Sequence, residues 1–180
     1  YAVEKRYFRK LPFVSLGPSG FYSFVSNGFR FVVLNGNEIS TYGPGNNRVK
    51  KQALLLIENM ISEGKPNALG WNGGLSGGQL AWFEKELETA SSAGEKVFVI
   101  CHFPVWPVYS HVLLNYEEVL QIIGRHDNII AWFAGHDHRG GYGNYNLIHC
   151  VTFRGMVETP DENSYAIVDV YRNKIWIRGY

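Results

Sequence analysis

Lys96-Val97-Phe98-Val99-Ile100-Cys101-His102-Phe103-Pro104 and Asn128-Ile129-Ile130-Ala131-Trp132-Phe133-Ala134-Gly135-His136-Asp137-His138 decide the fold. Each begins with a short run of β-branched and aromatic residues that lacks polar alternation. That is the pattern of a strand buried on both faces. Each run then ends on a histidine-bearing turn. Tyr116 to Gly124, between them, reads as a helix, which makes the stretch strand, helix, strand.

Working upstream, Gly77 to Ser92 has Leu80, Phe83, Leu87 and Ala90 at helical intervals. Ser76 stands at its N-cap, with Gln79 at capping-box spacing. Before it lies a loop, Gly64 to Leu75, carrying Trp71 and Asn72-Gly73-Gly74. Arg48 to Ser62 reads as a further helix with Ala53, Leu54, Ile57 and Ile61 on one face. Phe21 to Leu34 reads as a hairpin around an Asn27-Gly28 turn. Downstream, strands are expected over Asn146 to Phe153, Ser164 to Tyr171 and Lys174 to Arg178. Strands alternating with helices and then running on as strands predict a layered α/β fold, with helices covering a mixed sheet. No repeat or linker divides the chain, so residues 1–180 are expected to form a single domain.

Composition narrows the function classes. Hydrophobic residues make up 46% of the 180, ample to offset chain entropy and to exclude a disordered chain. Seventeen Lys and Arg against sixteen Asp and Glu leave a formal net charge of +1, which argues against nucleic acid and anionic membranes as partners. Apolar runs such as Ile129 to Ala134 are far below the ~20 residues of a membrane helix. Cys101 and Cys150 read as two buried thiols in a reducing compartment, hence a cytoplasmic protein, with a single bridge as the other possibility.

The chemistry gathers on the two strand ends, where ligands collect in open α/β sheets. In extended backbone His136 and His138 address the same side, and His102 enters from the neighbouring turn. Neutral imidazole is the commonest ligand of zinc and related cations. Three imidazoles suffice for one catalytic zinc with an open position. Two-metal hydrolysis wants carboxylates as well, and none is obviously placed; Asp137 should point away, to solvent or a supporting contact. His111, His126 and His149 read as surface or hydrogen-bonded residues. The N–H groups of Asn72, Gly73 and Gly74, just before a helix, offer a phosphate cradle or else form a plain turn. Trp71, Phe103 and Tyr142 are either stacking surfaces for a base or ribose, or core.

These residues resemble a known family. Gly135-His136-Asp137-His138 matches the Gly-His-x-His motif of the calcineurin-like metallophosphoesterases, and Cys101-His102-Phe103-Pro104 matches their preceding His-bearing strand end. One branch is similar over most of the chain: the manganese-dependent ADP-ribose/CDP-alcohol diphosphatases. The stretches that carry this are Asn72-Gly73-Gly74-Leu75-Ser76, Gln79-Leu80-Ala81-Trp82, Gly140-Gly141-Tyr142 and Gly155-Met156-Val157-Glu158-Thr159-Pro160. The resemblance implies the C-terminal part of a two-sheet αββα sandwich. It implies two divalent metal ions, manganese first and zinc or iron as alternatives, with His102 and His136 on one and His138 on the other. It also implies hydrolysis of a small-molecule nucleotide at its pyrophosphate. The family's Asp-x-His/Gln, Gly-Asp-x-x-Asp and Gly-Asn-His motifs are missing from this sequence. Gly36-Asn37-Glu38 mimics the last but lacks its histidine. The catalytic histidine is therefore expected upstream, and the chain is expected to be a piece of such an enzyme. Two rivals stand beside it: a non-catalytic nucleotide- or sugar-binding module, and a mononuclear zinc hydrolase using His102, His136 and His138.

Overall fold

The computed structural model describes residues 20–43, 47–157, 161 and 163–179. Among the described residues, ten strands and three helices follow in the order β1 (Tyr22–Ser26), β2 (Phe29–Val33), β3 (Ile39–Ser40), α1 (Asn47–Ser62), β4 (Gly73–Gly74), α2 (Gly77–Ser92), β5 (Lys96–Ile100), α3 (Tyr116–Ile123), β6 (Ile129–Ala134), β7 (Gly141–Tyr145), β8 (Ile148–Thr152), β9 (Ala166–Val170) and β10 (Ile175–Gly179). The main sheet runs β1-β2-β5-β6-β8-β7. Its four inner strands are mutually parallel, and each edge is finished by an antiparallel hairpin partner.

The period of two along β5 explains the layering. Val97 and Val99 face one way, into a core with Phe83, Leu87 and Ala90 of α2 and with Trp132. Phe98 faces the other way, with Ala131 and Phe133, against Val168, Val170 and Ile175 of the β9–β10 hairpin. Helices thus cover one face and a second, two-stranded sheet the other, the mixed α/β sandwich expected. Between Val97 and Phe98 the partner on β6 skips from Ile129 to Ala131. This bulge resets the phase of β6, so that Trp132 and Ala134 reach the helical face.

The cap of α2 departs from the expected box. Ser76 Oγ accepts from Gln79 N at 3.1 Å, as anticipated. Gln79 does not reach back; Glu38 Oε2 instead accepts from Ser76 N at 3.0 Å and from Gln79 Nε2 at 2.6 Å. Glu38 is therefore a helix cap. The face of α1 also needs correction: Ala53, Ile57 and Met60 are buried, while Leu54 and Ile61 are 52% and 62% exposed. The helix touches the body along a narrow i, i+4, i+7 stripe, against Ala68 and Leu114.

β7 was not foreseen, because Gly141-Tyr142-Gly143-Asn144-Tyr145 has little strand propensity. It forms because Asn146 and Leu147 both adopt left-handed φ values, 49° and 69°, and close a tight hairpin onto β8. The other edge uses Asn27 and Gly28 in the same way, as the sequence predicts. Among the described residues no helix is long and apolar enough to cross a membrane.

Leu147 is 85% exposed and gains no packing for its left-handed backbone. Leu147→Gly is expected to stabilise the chain by about 0.5–1 kcal/mol, seen as a higher urea midpoint. Cys101 and Cys150 are free and buried, and burial pushes both thiols up to about 12. Both should resist iodoacetamide at pH 8 in the folded chain and react on unfolding.

Candidate functional site

Parallel pairing of β5 and β6 brings their carboxyl ends to one edge. The ladder continues past the strands: Cys101 N donates to Phe133 O at 3.0 Å, and Gly135 N to His102 O at 3.0 Å. The two histidine turns are thus zipped together. His102 Nε2 and His136 Nδ1 stand 3.3 Å apart, with ring centroids at 5.1 Å. His136 sits at φ 69°, a strained conformation for a non-glycine residue. Phe103, fully buried, packs edge-on against its ring at 4.4 Å.

His138 follows on the same turn. Gly155 N donates to His138 O at 3.0 Å, and a Cβ on Gly155 would lie 2.7 Å from the His138 ring, so only glycine fits there. Asp137 is buried and gripped by Arg139, whose Nε and Nη2 each lie 3.0 Å from a carboxylate oxygen. The supporting contact expected of Asp137 takes the form of this ion pair.

His136, His138, Asp137 and Arg139 line a cleft of about 840 Å³ together with Trp71, His111, Arg154 and Gly155. The sequence reads His111 as a surface or hydrogen-bonded residue and does not single out the two arginines; all three line the cleft. His111 comes from the loop that begins at His102, which was the available signal. Its Nδ1 lies 2.9 Å from Ser110 Oγ, and its ring is 5.5 Å from that of His136.

Other residues expected at the site lie elsewhere. Asn72 is fully buried, with its Oδ1 2.9 Å from His136 Nε2. Gly73 and Gly74 form a short ladder with β3, and a Cβ on Gly73 would meet Gly36 O at 2.2 Å. Of the N–H groups offered to phosphate, that of Asn72 bonds Leu69 O; just beyond the glycines, Leu75 N bonds Asn115 Oδ1 and Ser76 N bonds Glu38. Phe103 is core. Tyr142 lies on β7, hydrogen-bonded to His149 Nδ1, and lines a separate cavity of about 560 Å³ between the main sheet and the β9–β10 hairpin.

Burial, reinforced by His102, His111 and His138 and opposed by Asp137, pushes His136 down to about 4. His102 is lowered by burial and by His138. Both rings are therefore neutral at physiological pH, with lone pairs available. Nitrogens bound to one cation at ~2.0–2.1 Å stand ~3 Å apart, a spacing the His102–His136 pair meets. Neutral imidazole donors suit manganese-group and zinc ions. No group of three His, Cys, Asp or Glu side chains arranged to hold a metal occurs among the described residues.

A dimetal phosphatase from Danio rerio shares this fold, with a TM-score of 0.80 at 24% identity over 89% of this chain and 57% of that one. At that identity the likeness is one of fold, a mixed sheet with helices. No family model matches it. Manganese-dependent ADP-ribose/CDP-alcohol diphosphatases do: those of Xenopus tropicalis and Homo sapiens are each 32% identical over 84% of this chain and 48% of their own length. That of Arabidopsis thaliana is 30% identical over 84% of this chain and 54% of its own. The chain is a homologue of these diphosphatases and spans about half their length.

Because His136 titrates near 4 when folded and near 6.5 otherwise, protonation favours the unfolded chain. Its contribution to stability is full above pH 6.5 and is lost as the pH falls toward 4. In the metal-free chain, an NMR titration of His136 should show a midpoint about 4, well below that of a solvated histidine.

Proposed function

We propose that the protein containing this chain is a manganese-dependent hydrolase that cleaves the pyrophosphate of nucleoside diphosphate-linked substrates, ADP-ribose and CDP-alcohols among them. One observation carries this reading. Two neutral imidazole nitrogens face each other at 3.3 Å on the ends of adjacent parallel strands, and the second histidine turn opens onto a cleft with two guanidinium groups and an indole. The named activity of the homologues supports the substrate class.

His102 and His136 would hold one ion, and His138, further along the turn, would contribute to a second. Bound divalent cations supply charge neutralisation at the phosphoryl oxygens and a water of lowered pKa. The chain's own groups position the substrate. Arg154 presents its guanidinium to a diphosphate, and Arg139, whose Nε–Nη2 edge is held by Asp137, offers its remaining N–H groups. Trp71, half exposed at the rim, offers a face for a base or ribose. Phe103 and Asn72 act behind the cleft, on the ring of His136. The resemblance assigns further ligands and the catalytic histidine to motifs that this sequence does not contain, so activity is proposed for a protein that carries them. Free, buried thiols suit a reducing compartment such as the cytoplasm.

A mononuclear zinc hydrolase built from His102, His136 and His138 gains no support, since no three such side chains among the described residues are arranged about one ion. A non-catalytic nucleotide module would bind ADP-ribose equally well with and without chelator.

The test is hydrolysis of ADP-ribose and CDP-choline by the protein carrying the upstream motifs. Chelation should abolish turnover and manganese restore it. His136→Ala should lower turnover by ~100-fold or more. Turnover unchanged in that variant would remove His136 from the site.

A further inference from the structure

We infer that Asn72 is a positioning residue whose buried amide selects the tautomer of His136 that turns an unprotonated Nδ1 toward His102. The purpose of this device rests on the hydrolase reading of the same cleft, but its demonstration does not.

The amide has no freedom in its assignment. Asn72 is fully buried, and its Nδ2 lies 2.9 Å from Asn67 O and 2.8 Å from Ser110 O. Both partners are carbonyls, which only accept, so the NH2 end must face them. The oxygen is left to face His136 Nε2 at 2.9 Å. An amide oxygen also only accepts, so Nε2 carries the ring's hydrogen. A neutral imidazole has one N–H, and Nδ1 is therefore the lone-pair nitrogen. That nitrogen is the one 3.3 Å from His102 Nε2.

Reversing the amide would set an oxygen against two carbonyls and N–H against N–H at a fully buried side chain, leaving buried groups unsatisfied. The frame behind Asn72 is equally fixed. Asn67 is fully buried and donates through Nδ2 to Leu113 O at 2.7 Å and Leu114 O at 3.3 Å. The loop before β4 is thus tied to the loop leading into α3, and Asn72 projects from that joint onto His136.

The hydrogen count balances at the facing pair. Without a cation, His102 Nε2–H donates to His136 Nδ1. For both nitrogens to face a cation, His102 must carry its hydrogen on Nδ1, with one hydrogen still on each ring. Only His102 has to change, because Asn72 has already set His136.

Long-range proton–nitrogen NMR spectra of the metal-free, labelled chain at neutral pH read the tautomer directly. His136 should show Nε2 protonated and Nδ1 unprotonated. Asn72→Leu removes the acceptor and should populate the Nδ1–H form, with manganese affinity, read from paramagnetic broadening of the His136 signals, weaker by ~10–100-fold. Asn72→Asp keeps an oxygen toward Nε2 but sets another against the two carbonyls. It should be destabilised yet retain the Nε2–H tautomer, an outcome that a purely structural role for Asn72 does not separate from that of Asn72→Leu. A wild-type His136 protonated on Nδ1, or an Asn72→Leu chain that folds with the tautomer unchanged, overturns the inference. Should Asn72→Leu fail to fold, the wild-type and Asn72→Asp spectra decide it alone. The expected tautomer with no manganese response would leave this assignment standing and count against the hydrolase reading.

Discussion

The parallel pairing of β5 with β6 is the constraint on which the rest depends. It places two carboxyl ends side by side, and hydrogen bonds beyond the strands carry that proximity to His102 and His136. A parallel pair must be covered on both faces. Here α2 supplies one cover and the β9–β10 hairpin the other, so the site is only as well defined as the sandwich beneath it. The bulge opposite Val97 and Phe98 belongs to the same mechanism, because it sets the phase with which β6 enters its turn.

The electrostatics of the cleft follow from this crowding. Imidazoles packed together and partly withdrawn from water resist becoming cations, through lost hydration and mutual repulsion. The same neutrality leaves their lone pairs available as donors. Charge enters the cleft through Arg139 and Arg154 instead, and Asp137 spends its carboxylate on Arg139. The cleft thus separates neutral imidazoles on the strand ends from the guanidinium groups of Arg139 and Arg154.

Much of the fold was legible where periodicity and turn chemistry agree. The Asn27-Gly28 hairpin, the Ser76 cap with the apolar stripe of α2, and the unalternated runs of β5 and β6 each announce their structure locally. β7 was not legible, since its glycines are tolerated only because β8 lies beside it. Nor was the buried face of α1, where apolar residues surround much of the helix and a small contact selects Ala53, Ile57 and Met60. At the site, the histidine turns could be read from their place after apolar strands. The cleft positions of His111 and Arg154 could not, and Trp71 was left between stacking surface and core, because each depends on where a distant loop comes to rest.

By itself the sequence determined most of the long elements of the layered sandwich, the two strand-end histidine turns and the kinship with metal-dependent diphosphatases. These depend on local periods and on residues adjacent in the chain. Only the tertiary structure decided that the buried Asn72 amide meets the ring of His136, that Glu38 caps α2, and that Tyr142 lines another cavity. Hydrogen bonds between residues 38 to 64 positions apart make the first two decisions. They exist only once the sheet has brought its loops together.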